Sequence, residues 1–221
     1  MFKELPKAII FDWDNTLVDS WSLLHQAWNV TLKEMGMPEW SLATVQQRAK
    51  ASMRDTFPEL FGSQWLKAKE IFYNFFTNNH LTHLKPMVGA TQLLDLFNNL
   101  GCYMVVVSNK NGDLLRQEAT ALGWDRYFKY LVGSGDAKKD KPATEPVMLA
   151  LSKSTITTGH DVWFLGDTDI DMQCAINAGC KPILIRDTKP TSDEFKYVKP
   201  DMHFFSCNQL MSFLKQGTIT M

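Results

Sequence analysis

Three apolar runs, AIIF at 8–11, YMVVV at 103–107 and VWFL at 162–165, each stop abruptly at polar residues: Asp12, Ser108 and Gly166-Asp167. Short runs with so little polar alternation suit strands covered on both faces, and such strands pair in parallel between two layers of helices. Shorter candidates follow at YLVGS (130–134), PILI (182–185) and HFF (203–205). Helical patterns lie between them, over about 89–100, 112–122, 143–153, 168–178 and 207–215. Gly101, Gly123 and Gly179 stand just past three of these, where a left-handed residue ends a helix. Strands alternating with helices predict an α/β fold, a doubly wound parallel sheet.

The stretch 17–85 breaks this rhythm and contains no convincing strand. Trp21, Leu24, Trp28, Leu32 and Met35 recur at helical spacing, as do Trp65, Ala68, Phe72, Phe75 and Phe76. It reads as a small helical domain inserted into a core formed by residues 1–16 and 86–221. The aromatic stripe reads as the core of the insert, with a substrate cleft as the alternative.

The 221 residues carry a net charge of -1, with no basic excess to meet nucleic acid or an acidic membrane surface. No apolar run approaches the roughly 20 residues of a membrane span, and MFKELPKAII lacks the apolar stretch of a signal peptide. Cys102, Cys174, Cys180 and Cys207 show no metal-like spacing and read as small reduced hydrophobes. The expectation is a cytoplasmic protein with neither nucleic-acid nor membrane partners. Nothing in the sequence separates monomer from dimer.

In an open α/β sheet, ligands bind beyond the carboxyl ends of the strands. Asp12 and Asp14, two apart on an extended chain, share a face there. Ser108-Asn109, Asp167 and Lys141 of the loop KKDKPATEP reach the same edge. Each has a plainer reading. Asp14-Asn15-Thr16 could be a turn, Ser108 and Asn109 could cap a helix, and Lys141 could be a solvated charge. Asp171, with Thr168, fits a capping box. Together they bring carboxylates, a hydroxyl and an ammonium to one place, with no His or Cys among them. Hard oxygen ligands favour Mg²⁺. The hydroxyl, the ammonium and the N–H groups of a helix beginning near Asn111 suit a phosphoryl group.

FDWDNTLVDS, VVVSNK, KDKPATEP and LGDTDIDMQCAINAG resemble, in order and spacing, the four motifs of the haloacid dehalogenase superfamily. SNKNGDLLRQEATALGW and LKPMVGATQLLDLFNNLG resemble its phosphoglycolate phosphatase-like branch. The resemblance covers essentially the whole chain. It implies a Rossmann-like core, an inserted helical cap and a Mg²⁺-dependent phosphomonoesterase acting on a small phosphorylated metabolite. Asp12 would attack phosphorus to form an aspartyl-phosphate. Asp14 would protonate the leaving alkoxide and then deprotonate water. Ser108 and Lys141 would hold phosphoryl oxygens, with Thr16 and Asn109 beside them. The metal would bind Asp12, the Asp14 backbone carbonyl and Asp167, with Asp171 direct or through water.

Within the superfamily, Asp14 argues against a dehalogenase and a phosphonate hydrolase, and Thr16 leans away from a sugar phosphomutase. The mutase stays as the enzymatic alternative, and a non-catalytic binding protein as the alternative of another class. A receiver-like domain has no need of Asp14 or of the insert. In the insert, Arg54 and His25 are candidates for a substrate anion, with a surface charge and a polar helix position as the plainer readings. His80 and His83 read as surface residues. Trp13, where an aliphatic or Phe is commoner in the superfamily, is expected to alter the shape of the cleft.

Overall fold

The computed structural model describes residues 5–49, 51–191 and 193–218. Strands β1 (Ala8–Phe11), β2 (Tyr103–Asn111), β3 (Tyr130–Ser134), β4 (Val162–Gly166), β5 (Lys181–Ile185) and β6 (Met202–Phe204) pair in parallel in the order β3-β2-β1-β4-β5-β6. The order reverses between β1 and β4, which places a crevice outside their carboxyl ends. Phe11 pairs with Val106 on one side and Leu165 on the other, so the residues that follow each strand emerge at nearly one level.

The uniform apolarity of β1 has a direct cause. Ile9 and Phe11 pack into one cluster with α5 (Ala90–Asn99) and α9 (Cys207–Thr218). Ala8 and Ile10 pack into another with α7 (Glu145–Leu151) and α8 (Asp169–Asn177). All four side chains have no exposed surface. With both faces covered, neither alternate position tolerates a polar group. Among the described residues no helix is long and apolar enough to cross a membrane. None of the four cysteines is in a disulfide.

The expected end of β2 needs correction. The strand continues past Ser108 to Asn111, and its register against β3 shifts between Val107 and Asn111. Ser108 and Asn109 therefore lie in an irregular strand end and do not cap a helix. The cap of α6 (Gly112–Ala121) is Asn111, whose side-chain oxygen accepts from the Asp113 and Leu114 N–H groups at 3.1 and 3.2 Å. That end is thus closed by its own chain, and those two N–H groups are not open to a phosphoryl group as the sequence suggested.

Between β1 and α5 lie α1 (Trp21–Glu34), α2 (Leu42–Arg48), α3 (Met53–Phe61) and α4 (Trp65–Asn79). Trp28, Phe57 and Phe72 form their centre, with ring centroids 5.1 to 5.8 Å apart. Leu114, from α6 of the sheet layer, is buried in the same cluster. Two crossing segments join the bundle to the sheet. They are tied by Asp19 N–H to the Lys85 carbonyl and Met87 N–H to the Leu17 carbonyl, both at 2.8 Å.

Gly166 ends β4 where α8 approaches closest. A methyl group there would lie 2.3 Å from the Asp171 Cβ, well inside contact distance. Gly166→Ala is expected to push the start of α8 away and to destabilise the fold by about 1–3 kcal/mol, read as a lower urea midpoint.

Candidate active site

The turn after β1 aims its side chains through an unusual residue. Asn15 has φ of 63°, a left-handed conformation that Asn tolerates better than most residues. Its side-chain oxygen accepts from Ser20 N–H at 3.1 Å, closing the turn. Asp12 and Asp14 thereby both line a cavity of about 90 Å³ at the sheet edge. Ser108, Asn109, Lys141, Asp167 and Asp171 line it as well, from three other chain segments. The convergence anticipated from the strand ends is therefore found.

Lys141 is buried between two carboxylates, with Nζ 2.6 Å from Asp12 Oδ1 and 2.6 Å from Asp171 Oδ1. Burial opposes its charge, but Asp12 and Asp171 outweigh burial and hold its pKa above the ordinary value. It is not a solvated lysine. Burial pushes the Asp12 carboxyl up to about 7 against the pull of Lys141, and Asp171 and Asp14 add to the rise. Burial likewise raises Asp167, assisted by Asp171 and Asp12.

Asp12, Asp167 and Asp171 each offer an oxygen within 4.8 Å of the others, a donor set of hard ligands that fits a divalent cation such as Mg²⁺. Their availability differs. Asp171 Oδ2 accepts from Thr168 N–H at 3.0 Å, as the capping-box pattern predicts, and also from the Thr168 hydroxyl at 2.6 Å, while Oδ1 faces Lys141. Both its oxygens are engaged. Asp12 Oδ2 has no partner among the described residues.

Other expectations shift. The Asn109 amide forms a two-way clamp on the Lys141 backbone, donating to its carbonyl at 3.2 Å and accepting from its N–H at 3.0 Å. The amide holds the lysine loop in place at the edge of the cavity. Thr16 is buried behind the turn, its hydroxyl 3.5 Å from Asp167 Oδ1, and is not on the cavity wall. Arg54 is not on the wall either. It reaches from α3 to the Lys138 carbonyl at 3.0 Å and the Asp140 carboxylate at 3.3 Å, linking insert to core. His25 is turned to the Trp40 carbonyl at 2.9 Å. His83 is exposed as expected, but His80 is buried, with Nδ1 3.0 Å from Glu118 Oε1. Trp13 does not shape the cavity. It lies in the core against Trp124, and its indole N–H donates to Glu118 Oε2 at 2.7 Å. In the aromatic stripe, Trp28 and Leu32 pack inside the bundle, while Trp21, Leu24, Phe72 and Phe76 reach the cavity. The stripe is core and cavity wall at once.

Two buried charges escaped the sequence reading. Lys110 Nζ lies 3.0 Å from both Asp14 Oδ1 and Glu118 Oε1. Lys110 stands two residues beyond Ser108 near a strand end, a spacing that favours a shared face. Glu118 falls in the buried stripe of α6 with Leu114, Leu115 and Ala119, where an acid needs a buried partner. Those patterns were the available signals.

A doubly wound parallel sheet with a carboxylate-rich centre at its switch point and an inserted helical bundle beside it defines a class of α/β protein that holds its ligand beyond the strand ends. A family model described as haloacid dehalogenase-like hydrolase matches residues 9–185. The chain belongs to the haloacid dehalogenase-like hydrolase family. It is 28% identical over 182 residues to a phosphoglycolate phosphatase of Aquifex aeolicus, covering 80% of this chain and 84% of that protein. A crystal structure of a haloacid dehalogenase superfamily hydrolase from Ehrlichia chaffeensis is 30% identical, with a TM-score of 0.65, and the match covers 97% of this chain and 98% of that one. A structure described as a predicted phosphoglycolate phosphatase from Haemophilus somnus shares the fold with a TM-score of 0.83 at 21% identity, over 96% and 100% of the two chains.

Proposed function

We propose that this hydrolase is a Mg²⁺-dependent phosphomonoesterase acting on a small phosphorylated metabolite, either phosphoglycolate-like or a sugar phosphate. The observation that carries the reading is the meeting of Asp12, Asp14, Ser108, Lys141 and Asp167 on one cavity. At about 90 Å³, that cavity is far below the roughly 300–1,000 Å³ of pockets for drug-sized ligands, which favours a compact substrate. The name of the Aquifex aeolicus relative supports the substrate class.

Asp12 Oδ2, without a partner among the described residues, attacks phosphorus, and the bond from phosphorus to the leaving oxygen breaks. Asp14 gives its proton to that oxygen. It then takes a proton from the water that attacks the aspartyl-phosphate, releasing phosphate and restoring Asp12. The Ser108 hydroxyl and the Lys141 ammonium hold the phosphoryl oxygens. Asp12, Asp167 and the Asp14 carbonyl would hold Mg²⁺, with Asp171 behind them, since Lys141 and Thr168 already engage its oxygens. When bound, the cation neutralises the clustered carboxylates and the charge on the phosphoryl group. Residues 17–85 act as the cap over a core of 1–16 and 86–221, excluding bulk water.

The test is phosphate release from phosphoglycolate, glycerol phosphate and sugar monophosphates, with Mg²⁺ and with EDTA. Release from at least one substrate is expected with Mg²⁺, falling at least about 100-fold with EDTA. No release from any substrate overturns the reading. Isomerised sugar phosphate without free phosphate makes the protein a mutase.

A further inference from the structure

The mechanism above leaves a buried set of charges unused. Lys110 sits midway between two carboxylates, 3.0 Å from each, on a flexible four-carbon stem. Its ammonium also lies 4.5 Å from the centroid of the Phe76 ring. Glu118, fully buried, has both oxygens engaged. Oε1 accepts from Lys110 and His80, and Oε2 accepts from the Trp13 indole. A carboxylate only accepts, so the His80 proton is on Nδ1. Asp14 Oδ1 accepts from Lys110 and from the Ser20 hydroxyl, and among the described residues Oδ2 has no partner. Two donors on one oxygen fix the rotation of the Asp14 carboxyl and leave its other oxygen for the cavity.

The origins of these groups matter. Asp14, Trp13, Lys110 and Glu118 belong to the sheet and α6. Phe76 lies in α4, and His80 immediately follows that helix and stacks on Phe76 at 6.0 Å. The hold on Lys110 is therefore complete only with α4 seated on the core. A fully satisfied buried network fixes its members more tightly than any one pair does.

We infer that Glu118 is a positioning residue. By holding Lys110 and His80 together, it makes the placement of Asp14 for proton transfer depend on the seating of the cap helix. The inference rests on the phosphomonoesterase reading, in which Asp14 serves the leaving oxygen. Without the Glu118 charge, Lys110 loses one of its two anchors, and the support of Asp14 becomes mobile.

The test compares the best alkyl phosphate of the panel with acetyl phosphate, whose acetate leaves without protonation. Glu118→Gln is expected to slow phosphoenzyme formation, read as the burst ahead of the water step common to both substrates, about tenfold or more for the alkyl phosphate, within the usual worth of a positioned acid, and less than about threefold for acetyl phosphate. His80→Phe, which keeps a ring beside Phe76 and removes the donor, shifts the ratio in the same direction. His80→Gln restores an N–H donor and moves the ratio back. A purely structural role would lower both substrates together. Equal losses in Glu118→Gln overturn the inference while the phosphatase reading stands. If Glu118→Gln does not fold, an unchanged ratio in His80→Phe overturns it. A parent protein inactive on both substrates removes the phosphatase reading and this inference with it.

Discussion

Asp12→Asn is expected to lower phosphate release at least about 10⁴-fold for every substrate, as removal of a nucleophile does elsewhere. An amide has nearly the shape of the carboxylate but does not attack phosphorus at a useful rate. The fold should survive, because Lys141 keeps its second carboxylate, Asp171, at 2.6 Å. The variant should therefore melt within a few degrees of the parent and yield no phosphorylated protein after acid quenching during turnover. Intact mass spectrometry reads the second point and a thermal melt the first. A variant that still turns over, or that still becomes phosphorylated, removes Asp12 from the role of nucleophile.

Asp14→Asn should divide the substrates by their leaving groups. An alkoxide requires a proton as it departs, and loss of a positioned acid costs about 10²- to 10⁴-fold. Acetate requires none, so the first half of the reaction with acetyl phosphate should be largely spared. The second half still depends on removal of a proton from water, so the aspartyl-phosphate should accumulate in the variant given acetyl phosphate. A phosphoenzyme burst followed by slow release is the expected trace. Equal loss on both substrates without accumulation would place Asp14 outside proton transfer.

The sheet and the central acids were legible in the sequence because each depends on a local pattern. β1 is apolar without interruption because helices cover both its faces, and Asp12 stands where that cover ends. Asp167 follows β4 in the same way. Lys141 was legible only as a member of a loop, since its burial depends on Asp12 and Asp171, 129 and 30 residues away. His80 was misread for the same reason. A polar residue at a helix end is ordinarily solvated, and what buries this one is Glu118, 38 residues further along. Trp13 was read as a cleft residue because it lies between two acids of the site. Its neighbours point to the cavity, however, and its own side chain turns into the core, as alternation along an extended segment requires. The β2 end was set too early because a register shift against another strand leaves no mark on hydropathy.

Leu114 belongs by sequence to the sheet layer, yet its side chain is enclosed by the aromatic centre of the insert. The bundle cannot swing away without drawing that leucine into water. Exposing one such side chain costs about 1.5–3 kcal/mol, a bias of roughly ten- to a hundredfold. Leu114 is thus a tie between the two parts of the molecule, and shortening it to Ala is expected to weaken the seating of the insert on the sheet.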